Sequence, residues 1–263
     1  MAGRSIEMVH ILLWKEFMIA LLLALVSGGS LALLGAGGSI LTVPLLIYGM
    51  GLDAHRAAAT SLLVVGVVAV AGVAMRWRAV QLRVGVTFGL AGMVGALPGA
   101  WLNHHVPAAA VLGALGLTML VVALRMTWGA PRGAAGDGHA HAWAALAAGL
   151  GGGVATGFFG VGGGFLIVPA VTLLLGLETK QAVATSLLVI ALNSLAALGA
   201  HVSYGAVEWI VGAEVAAAAL VGAALAWPLG GRVSGVVLQR AFAVCLTLLG
   251  AGMMMRGIGE LLV

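Results

Sequence analysis

Long apolar segments separated by short polar breaks dominate this sequence and decide which solvent the chain can face. Eight such segments run approximately over residues 17–50, 57–75, 84–102, 107–124, 143–176, 182–200, 209–229 and 236–255. About 20 apolar residues form a helix that crosses the roughly 30 Å hydrocarbon core of a bilayer. Only 8% of the 263 residues are charged, against about 25% in soluble domains. The chain is therefore predicted to be an all-α polytopic membrane protein with about eight transmembrane segments.

The charge pattern and the motif inventory exclude several other classes of protein. The net charge of +4 could suggest nucleic acid, but the 12 Lys and Arg residues are scattered over loops and ends, as the positive-inside rule produces. The single Cys245 lies in an apolar run, so no disulfide framework is expected. No Ser-His-Asp arrangement, HExxH motif or P-loop occurs. We expect no enzyme activity, no cofactor, no metal and no nucleic-acid partner.

The sequence contains one internal repeat. Gly35–Pro44 parallels Gly160–Pro169 at an offset of 125 residues, and the match continues without a gap to Val65 and Ile190. Fifteen of the 31 positions from 35 to 65 are identical to their counterparts, and around Ala79 the offset becomes 127. Chance agreement in an Ala-, Gly- and Leu-rich chain is the alternative. The ungapped matches of Pro, Thr and Ser favour a true repeat.

Two of the segments are too long for one crossing and too short for two. Residues 17–50 and 143–176 are each about 34 residues long, or roughly 51 Å as one straight helix. Glycines interrupt both of them, which predicts helices that break within the membrane at a Gly-rich motif. We interpret the chain as a single transmembrane domain, 1–263, with repeat 1 over 17–128, a linker over 129–142 and repeat 2 over 143–257.

Paired glycine-interrupted segments at corresponding positions of two halves indicate a transporter binding site. A new half-helix begins after each break, and its first N–H groups are unpaired and carry partial positive charge, which suits an anion. Glycine lets that backbone approach the ligand. The candidate residues in these motifs are Gly37, Gly38, Ser39, Gly162, Gly163 and Gly164. Substitution Gly163→Leu is expected to abolish binding without unfolding the protein.

Hydroxyl and amide side chains in the next helix of each repeat could complete the site. These are Thr60 and Ser61 with their counterparts Thr185 and Ser186, followed by Asn193. The alternative is that the hydroxyls bond back to their own helix and that Asn193 joins two helices. Glu214 in the seventh segment could carry a proton in a coupled cycle, or it could lie near the interface and reach water.

The parity of the broken segments leaves two topologies open. One crossing per broken segment makes the repeats parallel, whereas a re-entrant hairpin makes them inverted. Both arrangements place eight Lys and Arg residues inside and four outside. The loop 76–83 has three arginines, however, and its counterpart 201–208 has none. Equivalent loops with opposite bias indicate opposite sides of the membrane, so inverted repeats are favoured over parallel ones.

At these motifs the sequence resembles the TauE/SafE sulfite exporter family, also called the 4-toluene sulfonate uptake permease family. The resemblance covers nearly the whole chain and rests on Gly37–Pro44, Gly162–Pro169 and the Ala-Thr-Ser-Leu step after each. Ser39 stands where a third glycine is usual. The family implies a multi-pass carrier of the bacterial or archaeal inner membrane that moves sulfite or a small organosulfonate. A passive anion channel and a non-transporting scaffold remain alternatives, and the sequence leaves the oligomeric state open.

Overall fold

The computed structural model describes residues 22–33, 37–127, 142–162, 167, 177, 179–229 and 235–262. Regular structure in these ranges is entirely helical. The helices are α1 (Leu22–Leu33), α2 (Gly37–Met50), α3 (Ala54–Arg76), α4 (Leu82–His105), α5 (Ala108–Thr127), α6 (Ala142–Phe159), α7 (Thr179–Ser203), α8 (Trp209–Ala226) and α9 (Gly235–Leu262). Short 3₁₀ turns, Trp77–Ala79 and Trp227–Leu229, follow α3 and α8.

Six helical stretches in the described part of the chain are long and apolar enough to cross a membrane. They are Ala54–Ala79, Leu82–His105, Ala108–Arg125, Lys180–Ser203, Trp209–Ala226 and Ala243–Glu260. Three shorter apolar helices accompany them, over Leu22–Leu33, Ser39–Met50 and Leu146–Phe159. The prediction of an all-α polytopic membrane protein is confirmed. The helix breaks are predicted at Gly35, Gly37 and Gly38 and at Gly160, Gly162, Gly163 and Gly164. Helix α6 ends at Phe159, directly before Gly160, whereas residues 34–36 and 163–166 lie outside the described residues. The linker 129–142 also lies almost entirely outside them.

Helices α3 and α7 run in opposite directions. The N–H of Glu208, which precedes α8, donates to Thr60 Oγ1 near the start of α3 at 3.0 Å. The N–H of Gln81, which precedes α4, donates to Thr185 Oγ1 near the start of α7 at 3.0 Å. The start of α3 therefore lies beside the end of α7, and the end of α3 lies beside the start of α7.

The two ends of the bundle can be named from this arrangement. The Asp53 end holds the starts of α3 and α8 and the ends of α4 and α7, and Asp53 itself caps α3 by accepting from the N–H groups of His55 and Arg56. The Arg76 end holds the ends of α3 and α8 and the starts of α4 and α7. Helix α5 returns from the Asp53 end to the Arg76 end. Helix α9 runs antiparallel to it, since Gly116 faces Gly250 and Ala109 faces Gly257.

Small residues allow helices from the two halves to pack backbone against backbone. A Cβ built on Gly153 of α6 would lie 1.9 Å from the carbonyl oxygen of Gly92 in α4. A Cβ built on Gly28 of α1 would lie 1.9 Å from the carbonyl oxygen of Ala219 in α8. These positions are related by the sequence offsets of 125 and 127. The same helix–helix contact, of the small-residue kind common between membrane helices, thus occurs twice, and each time it joins a helix of one repeat to a helix of the other.

Candidate functional site

Gly162 of the second glycine motif lies where the two halves of the chain meet. Its φ of 70° is in the left-handed region that favours glycine. A Cβ at this position would lie 2.7 Å from Val65 Cγ1 and 3.1 Å from Ile190 Cγ2. Val65 and Ile190 are themselves 125 residues apart, and Val65 is at the midpoint of α3. The motif therefore reaches the centre of the bundle, against equivalent residues from both repeats.

The hydroxyl of Ser61 holds the beginning of this motif. Ser61 Oγ donates to the carbonyl oxygen of Ala58 in its own helix at 2.8 Å and also to the carbonyl oxygen of Gly160. Gly160 has a φ of 71°, and a Cβ on it would lie 2.2 Å from the carbonyl oxygen of Ala58. A hydroxyl of repeat 1 thus fixes the turn that leads into the motif of repeat 2.

The other sequence-predicted hydroxyls also contact the protein backbone. Thr60 and Thr185 are fully buried and accept from the N–H groups of Glu208 and Gln81. Ser186 Oγ donates to the carbonyl oxygen of Val183 at 2.8 Å. Donation to an anion would require these serine hydroxyls to rotate away from their present carbonyl partners. In this conformation Thr60 and Thr185 connect segments around the glycine motifs, whereas the Ser186 bond to Val183 lies within its own helix.

The first motif is described only in part. Gly37 and Gly38 begin α2, and Ser39 lies in its first turn with no exposed surface. The hydroxyls of Ser27 in α1 and Thr42 in α2 are 3.0 Å apart, so a buried hydrogen bond joins the two helices that flank the motif. Gly163 and Gly164 of the second motif are outside the described residues, and so is the expectation for Gly163→Leu.

Two adjacent polar side chains of α7 are buried without a hydrogen-bond partner. Among the described residues, the amide of Asn193 and the hydroxyl of Ser194 are the buried polar side-chain groups for which the structure shows none, and both residues have 0% exposure. Ser194 Oγ is 3.6 Å from the Cβ position of Gly162, and the Asn193 amide lies against Gly92 of α4. Unpaired buried polar groups are rare in native structures and call for an explanation.

Sequence reasoning identified Asn193 but missed Ser194. The sequence does contain a signal for Ser194: it directly follows Asn193, and its counterpart in the first repeat is the apolar Ala69. Ser194 also lines an otherwise apolar cavity of about 550 Å³ between α3 and α7, which Gly66 shares. The exposed side chains of Val67 and Leu195 border this cavity, so it opens on the outer surface of the bundle.

A polar cluster at the Asp53 end surrounds the end of α6, just before the second glycine motif. The sequence did not predict this cluster. His201 Nε2 is 3.0 Å from the carbonyl oxygen of Gly157, at the end of α6. Asn103 Nδ2 donates to the carbonyl oxygen of Phe158 at 2.7 Å, and its Oδ1 is 3.1 Å from His55 Nδ1. These side chains satisfy the last carbonyls of α6, which a helix end otherwise leaves unpaired.

Glu214 lies apart from these groups. It is the sixth residue of α8, about 7.5 Å along the helix from its start, and its side chain is exposed. It therefore lies toward the Asp53 end and on the outer surface. Within the described residues, no group of three or more His, Cys, Asp or Glu side chains could hold a metal ion.

Comparison with known proteins agrees with this architecture. The sequence profile of the sulfite exporter TauE/SafE family matches residues 20–253, which is most of the chain. The chain belongs to the TauE/SafE family. A relative from Xylella fastidiosa strain 9a5c, named "Probable membrane transporter protein", is 34% identical and covers 86% of this chain and 91% of its own length. YunE of Bacillus subtilis strain 168, which carries the same description, is 25% identical over 92% of this chain. No solved structure matches.

Membership of the TauE/SafE family fixes the general class of activity. The family and the names of these relatives describe membrane transporters and not enzymes. Together with the six candidate membrane spans, they identify a multi-pass bacterial membrane transporter. A transporter of this family takes a small anion as its substrate and works in a lipid bilayer.

Proposed function

We propose that this TauE/SafE transporter is a secondary carrier that exports sulfite or a small organosulfonate, bound near mid-membrane between two glycine motifs. The observation that carries the proposal is the unpaired hydroxyl of Ser194, buried at the centre of the bundle beside Gly162. Leaving such a group unpaired costs about 1–3 kcal/mol. A ligand that accepts its hydrogen would remove that cost.

The bound species is expected to be an anion with several acceptor oxygens. The first N–H groups of a helix are donors, and the helix dipole places partial positive charge there. Helix α2 begins at Gly37 in the first motif, and the sequence repeat predicts a second such start in the second motif. Ser194 adds a neutral donor beside Gly162, and the amide of the adjacent Asn193, which lies against Gly92, is a second buried donor without a partner in the described structure. A sulfite or sulfonate group presents three oxygens to such donors. Neutral donors also bind an anion without trapping it, which suits a carrier that must release its substrate.

The chain further supports a carrier because its halves can be related as inverted repeats. Helices α3 and α7 are repeat equivalents and run in opposite directions, as the contacts of Thr60 and Thr185 indicate. In an inverted pair, one half can adopt the conformation of the other, which exchanges the accessible side of the membrane. Alternating access follows naturally from this relation.

Two other functions are tested against this one. A passive channel would conduct the anion without saturation or counterflow, and a scaffold would move none.

Proton coupling through Glu214 is a separate hypothesis, because the exposed position of Glu214 lies away from Gly162. If Glu214 carries the coupled proton, Glu214→Gln will transport sulfite down its own gradient but will no longer respond to an imposed pH gradient.

The test uses purified protein in liposomes that contain sulfite inside, with labelled sulfite, thiosulfate or sulfoacetate outside. We expect saturable counterflow of at least one of these anions. Ser194→Ala should raise the dissociation constant roughly 10- to 150-fold, since a hydrogen bond to a charged group is worth about 1.5–3 kcal/mol. It should also make the unliganded protein more stable, by up to about 1–3 kcal/mol, because alanine removes a buried hydroxyl that has no partner in the described structure.

Thr118→Val is the matched control for this experiment. Thr118 lies on α5, and its hydroxyl donates to the carbonyl oxygen of Ala114 in the same helix at 2.8 Å. It lies on a helix that contributes no residue to the Gly162 contacts, so affinity should not change. Unaltered affinity in Ser194→Ala would place the substrate elsewhere, and conductance without counterflow would establish the channel.

A further inference from the structure

A large cavity with a basic lining opens at the Arg76 end. Its volume is about 870 Å³. Three of its lining residues, Arg76, Arg78 and Lys180, carry positive charge, and none of the described lining residues carries a carboxylate. The indole of Trp227 forms part of the wall. Several cations around one concave surface focus a positive potential into it.

Arg76 is held in place at the inner part of this cavity. Its guanidinium donates to the carbonyl oxygen of Ala32, the last turn of α1, at 2.7 Å. It also lies over the Trp227 ring, 5.5 Å from the centroid. A guanidinium has five N–H donors, so this placement leaves further donors for a ligand. Arg76 thus joins the cavity to the helix that leads into the first glycine motif.

The equivalent position at the opposite end of the molecule is different. His201 is 125 residues after Arg76, and its contact with Gly157 is the counterpart of the Arg76 contact with Ala32. His201 is only 1% exposed. Arg56, at the same end, is engaged by Asp53 and Glu208. The framework is therefore shared, whereas the exposed cations that have no carboxylate partner among the described residues lie at the Arg76 end.

The distribution of charge assigns a side of the membrane to each end. The described Lys and Arg residues at the Arg76 end are Arg76, Arg78, Arg83, Arg125, Lys180 and Arg240, whereas Arg56 and Arg256 lie at the Asp53 end. Cytoplasmic loops carry the excess of Lys and Arg. The basic cavity consequently faces the cytoplasm, which is the side from which an exported anion arrives.

We infer that this cavity is a second anion site, a cytoplasmic vestibule that binds a small sulfur oxyanion before it reaches the site beside Gly162. The inference rests on the proposed function for the identity of its ligand. The chemistry that recognises the anion is electrostatic, through Arg78 and Lys180 at the opening and Arg76 within. Focused fields of this kind raise the local anion concentration and the association rate by about 10-fold or more.

Trp227 supplies a direct measurement of anion accumulation in the vestibule. The protein is placed in nanodiscs of phosphatidylcholine, and its tryptophan fluorescence is quenched with iodide or with neutral acrylamide. Subtraction of the Trp227→Phe signal isolates the contribution of Trp227. We expect the Arg78→Gln/Lys180→Gln double variant to lower the iodide quenching constant of this component about 3-fold or more, with the acrylamide constant unchanged. Sulfite exchanged for chloride at constant ionic strength should compete with iodide.

Matched variants separate charge in the cavity from charge on the same face. Arg83→Gln removes a charge at the same end from a residue that does not line the cavity, and quenching should remain at the wild-type value. Arg78→Lys/Lys180→Arg keeps both charges and should also retain wild-type quenching. In liposome transport from the vestibule side, the double Gln variant should raise KM several-fold and leave kcat unchanged.

The outcomes distinguish the vestibule from the central site. Equal iodide quenching in the wild type and the double Gln variant would overturn the vestibule. The vestibule would also be overturned by a second result: in nanodiscs that contain phosphatidylglycerol, iodide no longer reaches Trp227 and sulfite does not compete. A lipid headgroup would then be the occupant. If iodide and sulfite compete in the vestibule while Ser194→Ala transports normally, the vestibule stands and the proposed central site fails.

Discussion

Replacing Gly162 with alanine tests whether the glycine motif must reach the centre of the bundle. Residue 162 has a φ of 70°, which costs about 1–2 kcal/mol for a residue with a Cβ. The new Cβ would also lie 2.7 Å from Val65 Cγ1 and 3.1 Å from Ile190 Cγ2, and overpacking of this kind typically costs about 1–3 kcal/mol. We therefore expect Gly162→Ala to lower the free energy of unfolding by roughly 2–5 kcal/mol.

The assay is thermal unfolding in detergent together with counterflow in liposomes. At about 2–4 °C per kcal/mol for a chain of this size, the melting temperature should fall by roughly 4–20 °C. Transport should fall as well, because relief of the clash moves the motif away from Ser194. Adding Val65→Ala removes the closest contact but not the backbone strain, so the double variant should recover only part of the lost stability.

Gly151→Ala is the control for the same chemical change. Gly151 lies on α6, and a Cβ built on it meets nothing within 4 Å. Alanine in an open helical position is favoured over glycine by about 0.5–1 kcal/mol, so this variant should be slightly more stable than the wild type. If Gly162→Ala behaved like Gly151→Ala, the packing of Gly162 against Val65 and Ile190 would be refuted.

Three further predictions concern the framework. Thr60→Val and Thr185→Val each remove a hydroxyl that accepts from a buried N–H, and each should lower the free energy of unfolding by about 1–2 kcal/mol. Thermal unfolding should therefore show similar losses for the two variants. Gly28→Ala and Gly153→Ala each place a Cβ 1.9 Å from a backbone oxygen, so both should reduce the yield of folded protein on gel filtration. Arg56→Gln breaks exposed ion pairs and should change stability by less than about 1 kcal/mol in the same unfolding assay.

The sequence predicted the helices well because a membrane leaves the backbone few choices. Lipid offers no hydrogen bonds, so an apolar segment must form a helix, and the boundaries of α4 and α8 follow the polar breaks. The sequence offsets of 125 and 127 also relate two observed contacts, Gly28 with Ala219 and Gly153 with Gly92. The sequence favoured inverted repeats, and thus opposite directions for α3 and α7, only through the charge bias of equivalent loops. The numbers of Lys and Arg residues inside and outside were the same for both topologies.

The chemistry of the site was less accessible because it depends on partners distant in sequence. Ser61 contacts Gly160, 99 residues away, and no local pattern distinguishes this contact from a hydroxyl that faces a ligand. The opposite holds for Ser194, whose buried hydroxyl has no partner in the described structure. The absence of a partner depends on every neighbouring helix, so it cannot be read from the residues around Ser194.

The positions at which the two repeats agree differ in kind from those at which they disagree. Thr60 and Thr185 are identical and make equivalent contacts with the backbone of the other half. Ser194, by contrast, stands opposite Ala69, and Arg76 stands opposite His201. In a carrier built from inverted repeats, groups that hold the helices together must work in both halves as these exchange conformations, so identity is expected of them. A single small anion at the shared centre needs only one set of donors, and a vestibule that gathers anions is needed at only one entrance, so both can differ between the halves.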